Sequence, residues 1–240
     1  MIILYQFPPM LGLPNCSPFC LKMETYLRMQ EIPYEIKYVR DPRKAPKGKL
    51  PFIKDGNLCI ADSEFIIKHL EKKVGNSLDK HLSKEQKANA LLLEKTFSEY
   101  LYWIMVYNRW QNDKIWPLTK EVFFAKLTFP SKLFIPNLVR KSTLKALYNQ
   151  GMGRHSIDEV SGLGIEAIDA IALLLDEQKY FFGELSTIDS TAFAFLANIA
   201  WAPYDDEIKN HLYQHKNLLQ YCDRMWNNFY PEIAKPFSLG

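Results

Sequence analysis

Every clear strand signal in this chain falls before residue 62, and the remainder of the chain reads almost entirely as helix. That asymmetry rules out one uniform architecture. A short mixed segment must bury a sheet, while a long helical segment must bury its own apolar stripes. Ile2 to Phe7 is a short apolar run closed by Pro8-Pro9, and a loop runs on to Asn15. Ser17 to Gln30 predicts a helix with Phe19, Met23, Tyr26 and Leu27 on one face. Glu35 to Val39 alternates as a second strand, and a basic, proline-containing loop spans Arg40 to Lys49. Pro51 to Lys54 and Leu58 to Ala61 flank Asp55-Gly56, a hairpin turn signal. Ser63 to Val74 predicts a helix ended by Gly75.

Beyond Gly75 the pattern changes. Lys84 to Asn108 predicts one long helix, followed by helices over Glu121 to Leu127 and Ser131 to Tyr148, separated by Phe129-Pro130. Ile157, Val160, Gly164, Ile168, Ile171 and Leu175 recur at helical spacing within Ser156 to Gln178. Helices over Ser186 to Ala200, Asp205 to Tyr213 and Lys216 to Phe229 complete the chain. The expected organisation is an α/β domain over 1–75 and an all-α domain over 83–240, joined between Gly75 and Leu82.

Of the 240 residues, 48 % are hydrophobic and 24 % charged, which supports packed cores. The net charge of +3 gives no reason to expect a nucleic-acid partner. No stretch approaches about 18 apolar residues, so no membrane span is expected. The N-terminal residues lack the basic flank of a signal peptide. Four scattered cysteines do not make a disulfide framework and point to free thiols in a reducing, cytoplasmic setting.

Three features carry chemistry. The first is Asn15-Cys16-Ser17-Pro18-Phe19-Cys20, where Ser17 suits an N-cap and Pro18 the first helical position. A helix start offers unsatisfied amides and a favourable dipole, so a ligand thiolate at Ser17 could be stabilised there, although Ser-Pro can equally be a plain cap. Cys16 and Cys20 are spaced C-x3-C, outside the redox C-x-x-C spacing, and either reads as a reactive thiol if exposed or as a small core residue if buried. The second feature is Lys49-Leu50-Pro51-Phe52-Ile53. A cis bond before Pro51 would offer the Leu50 backbone to an extended peptide, while a trans bond would make it an ordinary strand opening. The third is Asp62-Ser63, either a simple cap or a site whose carboxylate meets an ammonium and whose hydroxyl and amides meet a carboxylate.

In this order the features resemble the N-domain of the glutathione S-transferase superfamily, a thioredoxin-like α/β unit. Ser17-Pro18-Phe19-Cys20 is similar to the glutaredoxin-type Cys-Pro-x-Cys site with serine replacing the first cysteine. Lys49-Leu50-Pro51 resembles the family's cis-proline segment, and Asp62-Ser63 its Glu/Gln-Ser pair, with a shorter acid. Gly183-Glu184-Leu185-Ser186-Thr187-Ile188-Asp189 resembles its N-capping box. Residues 17–25, Gly151-Met152-Gly153-Arg154-His155 and Tyr221-Cys222-Asp223-Arg224 are similar to the failed-axon-connections and metaxin-like branch, without a counterpart of the metaxin anchor in the tail from Lys235 to Gly240.

The resemblance implies glutathione as co-substrate and no metal. Ser17 would activate its thiol, Leu50 would pair with its cysteinyl backbone, and Asp62 and Ser63 would hold its γ-glutamyl end. Lys49, and secondarily a residue of the Arg40 to Lys44 run, would face its glycine carboxylate. The aromatic segment Tyr100, Tyr102, Trp103, Tyr107, Trp110 and Trp116 would wall an apolar electrophile pocket, or else serve as core or subunit interface. Arg154-His155 reads either as a catalytic pair or, the preferred reading, as a structural Arg154 contacting carboxylates within the helical domain. A homodimer is implied. A non-catalytic binding or assembly module on the same fold is the alternative, and thiol–disulfide exchange through Cys16 or Cys20 a third reading.

Overall fold

The computed structural model describes residues 1–75 and 78–235. Part of the expected inter-domain segment, residues 76–77, and the tail 236–240 lie outside the described residues. Strand β1 (Ile2–Gln6) pairs in parallel with β2 (Tyr34–Tyr38) and antiparallel with β3 (Phe52–Asp55), which pairs with β4 (Leu58–Ala61), giving the order β2-β1-β3-β4. Helix α1 (Pro18–Met29) makes the crossover that a parallel pair requires. Helix α2 (Ser63–Val74) comes after the hairpin and ends at Gly75, whose φ of 65° is the left-handed cap conformation. This is a thioredoxin-like unit.

The remaining helices are α3 (Lys84–Lys95), α4 (Tyr102–Trp110), α5 (Trp116–Phe124), α6 (Ser131–Gln150), α7 (Ile157–Leu175), α8 (Thr187–Ala200), α9 (Glu207–Leu212) and α10 (Lys216–Phe229). The expected single helix from Lys84 to Asn108 is interrupted by a π-helical stretch over Thr96–Leu101. The helix expected from Glu121 begins earlier, at Trp116, because Pro117 suits a helix's first turn.

Helix α1 joins the halves. Met23, Tyr26 and Leu27 pack with Ile2, Leu4, Ile53, Ile66 and Leu70, while Leu21 and Met29 belong to the large core of the helical half. Two cores claim opposite sides of one helix, so burial extends beyond the single expected face and takes in Lys22 and Glu24. Both are paired, as buried charges must be. Lys22 Nζ lies 3.0 Å from Glu94 Oε1, and Glu24 accepts from Gln6 Nε2 at 2.6 Å and from Arg28.

Opposite α1 lies α8, buried along almost its whole length, with Phe19 and Phe195 edge to face at 5.6 Å. Its start is fixed by the expected capping box: Asp189 Oδ2 accepts from the Ser186 amide and hydroxyl, both at 2.9 Å. Tyr221 and the Phe181 amide donate to Oδ1. Arg154 departs from expectation. It donates to the Tyr148 carbonyl at 3.0 Å and stacks on that ring rather than meeting a carboxylate. Gly153 explains the close turn, since a Cβ there would lie 2.7 Å from the Tyr148 nitrogen.

Candidate functional site

The Asn15–Ser17 loop is tied at both ends. Asn15 Nδ2 donates to the Phe7 carbonyl at 2.7 Å, and Asn15 Oδ1 accepts from the Ser17 amide at 3.0 Å. The helical half clamps the same loop. Arg109 Nη1 donates to the Cys16 carbonyl at 2.7 Å and Nη2 to Asn198 Oδ1 at 2.9 Å, while Asn198 Nδ2 donates to the Asn15 carbonyl at 3.2 Å. These buried contacts fix where α1 begins.

Ser17 is the N-cap of α1, and its Oγ accepts from the Cys20 amide over a long 3.4 Å. The hydroxyl is half-buried and borders a cleft, so it can still donate to a ligand there. The flanking thiols are a different matter. Burial pushes the Cys16 thiol up to about 11 and the Cys20 thiol up to about 12. Both are core residues, far from the thiolate character that exchange chemistry needs.

Leu50–Pro51 is cis, and both residues are buried at the cleft wall. Asp62 is the N-cap of α2, and its Oδ1 accepts from the Glu64 amide at 3.0 Å. Its φ of 84° is rare for a residue with a side chain, and such conformations cluster at ligand sites. Ser63 is the first helical residue beside it. The structure brings the six residues expected around the ligand together: Ser17, Lys49, Leu50, Pro51, Asp62 and Ser63 all line one cleft of about 370 Å³. Of the basic loop, Pro42, Lys47, Gly48 and Lys49 reach the cleft, so its cations there are Lys47 and Lys49. Arg43 instead forks onto Asp41.

The opposite wall is foreseen in the sequence only at Tyr102 and Trp103. It comprises Glu94, Lys95, Ser98, Glu99, Tyr102 and Trp103. These form two stripes with a spacing of four residues, which would drift by about 40° per step on a regular helix. The π-helical stretch widens the turn between α3 and α4 and keeps both stripes on the cleft. Ser98 Oγ is buried and has no hydrogen-bond partner among the described residues. A chain of charges crosses the wall: Lys22 to Glu94, Glu94 to Lys95, Lys95 to Glu64 and Glu64 to Lys68. Burial raises the Glu94 carboxyl, but Lys22 and Lys95 overcome it and hold the group below the usual range. Hydrogen bonds from Lys68 and Lys95 bring Glu64 down to about 2.

The aromatic segment divides by role. Tyr102 and Trp103 border the cleft, with Phe19 and Tyr102 edge to face at 5.0 Å. Tyr107 donates to the His155 carbonyl, and Trp110 packs on Trp116 at 5.6 Å. Among the site residues that sequence reasoning missed, Asn198 left the clearest signal, a lone amide in the apolar run from Thr191 to Ala200.

A thioredoxin-like unit docked on an all-helical one, with a cleft at two helix N-termini, defines a class of two-domain proteins. Residues 18–115 match the family model of the glutathione S-transferase N-terminal domain, and residues 164–225 that of the C-terminal domain. The isoprene-epoxide–glutathione S-transferase of Rhodococcus sp. (strain AD45) is 32 % identical over 94 % of this chain and 98 % of its own. Failed axon connections of Drosophila melanogaster is 32 % identical over 96 % of this chain, which spans 58 % of that protein's length. Metaxin-1 of Macaca fascicularis is 27 % identical over 92 % of this chain and 72 % of its own. A glutathione S-transferase of Ceriporiopsis subvermispora, solved in complex with glutathione, shares the fold at a TM-score of 0.64 and 19 % identity over 99 % of both chains. The chain belongs to the glutathione S-transferase superfamily and is similar to its failed-axon-connections and metaxin members.

Proposed function

We propose that the chain binds glutathione along this cleft and activates its thiol for attack on an apolar electrophile. The observation that carries the reading is the shared placement of Ser17, Leu50, Pro51, Asp62 and Ser63 around one cleft. The Asp62 carboxylate would meet the γ-glutamyl ammonium, and the start of α2 with Ser63 its carboxylate. Leu50 would pair with the cysteinyl backbone, and Lys49 with Lys47 would face the glycine carboxylate. The sulfur would then lie at the start of α1, where the Ser17 hydroxyl donates to the thiolate and lowers its proton affinity.

The Rhodococcus relative is named for an epoxide, and an epoxide suits Tyr102 and Trp103. The sulfur would form a bond to an epoxide carbon, the C–O bond would break, and the alkoxide would take a proton. Burial raises the Tyr102 phenol above its ordinary value, so it stays protonated and able to donate to that oxygen. Calorimetry with glutathione tests binding, and no heat at millimolar ligand would sink the proposal.

The similarity to failed axon connections and metaxin-1 favours a second reading, a non-catalytic binding or assembly module. Glutathione binding without conjugation across a panel of epoxides would support it. We place the boundary between the domains within residues 76–82. A cytoplasmic setting is supported by the buried free thiols Cys16, Cys20 and Cys222, and a homodimer by the exposed Leu133, Phe134 and Leu138 of α6. Among the described residues no helix is long and apolar enough to cross a membrane.

A further inference from the structure

A second cluster of ligand-type side chains lies in the helical half and shares no residue with the cleft. Asp169 is on α7, His211 in the last turn of α9, and His215 is the N-cap of α10. Asp169 Oδ1 lies 2.6 Å from His211 Nε2 and 2.9 Å from His215 Nε2, and the two Nε2 atoms face each other at 3.3 Å. One shared carboxylate oxygen thus has two imidazole nitrogens converging on it, each of which is a lone-pair donor when neutral at that atom.

The spacing suits a tetrahedral ion. Zinc sits about 2.05 Å from imidazole nitrogen, so two tetrahedral ligand atoms stand about 3.3 Å apart. The edge between the histidines already has that length. The edges to Asp169 are shorter than that by about 0.4 and 0.7 Å, taking 3.3 minus 2.9 and minus 2.6. The Asp169 side chain is 48 % exposed, and the rings are 21 % and 24 % exposed. The adjustment therefore falls on the side chain with room to withdraw, while the rings stay in place.

The elements carrying the ligands are fixed by packing. A Cβ on Gly164 of α7 would lie 2.4 Å from Ile208 Cδ1, so glycine lets α9 approach closely just before His211. Asn217 donates to the Ala172 and Asp176 carbonyls and ties the start of α10 to the end of α7. Tyr213, between the two histidines, donates to the Ala200 carbonyl at 3.0 Å.

We propose that Asp169, His211 and His215 form a three-ligand site for a zinc-class divalent cation, with its fourth position open to solvent. Imidazole with one carboxylate is a donor set suited to zinc and its late first-row neighbours. Binding would brace α7 against α9 and α10. The local sequence offers only the H-x3-H pair of His211 and His215, because Asp169 lies far along the chain from it.

The test uses the full-length, tag-free protein after chelator treatment. Cobalt(II) titration is followed by visible absorption, and zinc binding by calorimetry. The expected result is one equivalent of cation, a tetrahedral cobalt spectrum without sulfur charge-transfer bands, and zinc-dependent shifts of the His211 and His215 ring signals by NMR. Removing an outer partner of a metal ligand typically costs 10–100-fold in affinity, so His211→Ala and His215→Gln should each lose about a hundredfold or more. Asp169→Asn should weaken binding by at least about tenfold, and His155→Ala should leave it unchanged. The ring signals of the unaltered protein keep the test decisive if a variant misfolds. No uptake by the unaltered protein, uptake that survives all three substitutions, or sulfur bands in the cobalt spectrum would overturn the proposal. The cluster would then be a hydrogen-bonded brace only.

Discussion

Removing the Ser17 hydroxyl isolates the chemistry from the fold. The Ser17→Ala chain keeps the Asn15, Arg109 and Asn198 contacts that fix the loop, since none of them uses the Ser17 side chain. It also loses little as a cap. The Oγ contact to the Cys20 amide is 3.4 Å long, so the cost should lie near the low end of the usual range, about 0.5 kcal/mol. A hydrogen bond to a thiolate, by contrast, contributes about 1.5–3 kcal/mol. At 1.36 kcal/mol per pKa unit, the thiol of bound glutathione should rise by about one to two units. Below that pKa the conjugation rate should fall about 10- to 100-fold with the loss of thiolate. Ultraviolet thiolate absorbance against pH, with glutathione bound, reads the shift directly, and Ser17→Thr should restore it. An unchanged thiol pKa in a folded Ser17→Ala protein would refute the assignment of Ser17.

Three further outcomes are expected. Asn198→Ala removes the acceptor for Arg109 and the donor to the Asn15 carbonyl, so urea unfolding should show a loss of about 2–4 kcal/mol and glutathione affinity should fall as the loop loosens. Burial pushes the Asp189 carboxyl up to about 6, against four hydrogen bonds that favour the anion. A raised folded pKa means that its stabilising share is fully present below the unfolded value of about 3.8 and is lost as pH rises through about 6. Stability should therefore fall across that window, and the fall should be absent in Asp189→Asn. A thiol reagent should label exposed Cys59 quickly and leave Cys16, Cys20 and Cys222 unmodified in the native state. Rapid labelling of Cys16 or Cys20 would reopen the exchange reading.

The N-terminal site is legible in the sequence because its signals are local. A capping serine, a following proline and the Asp55-Gly56 turn each act within a few residues, and both α2 and α10 begin and end where their patterns do. Beyond the aromatic pair Tyr102 and Trp103, the opposite wall is not legible, because it depends on which distant elements meet. The partner of buried Lys22 is Glu94, which α3 brings to it from 72 residues along the chain. The π-helical stretch has no proline or glycine to announce it, yet it decides that Ser98, Tyr102 and Trp103 share the cleft with Ser17. Arg154 differs from its expected role for a related reason: its partner is a carbonyl six residues back, and carbonyls leave no mark in sequence.

The most direct test of glutathione activation at Ser17 is a crystal structure of the protein grown with glutathione. The expected result has the sulfur within hydrogen-bond distance of Ser17 Oγ, the cysteinyl backbone paired to Leu50, and the γ-glutamyl end at Asp62 and Ser63. Glutathione bound with its sulfur away from Ser17, or a cleft left empty at saturating ligand, would contradict it.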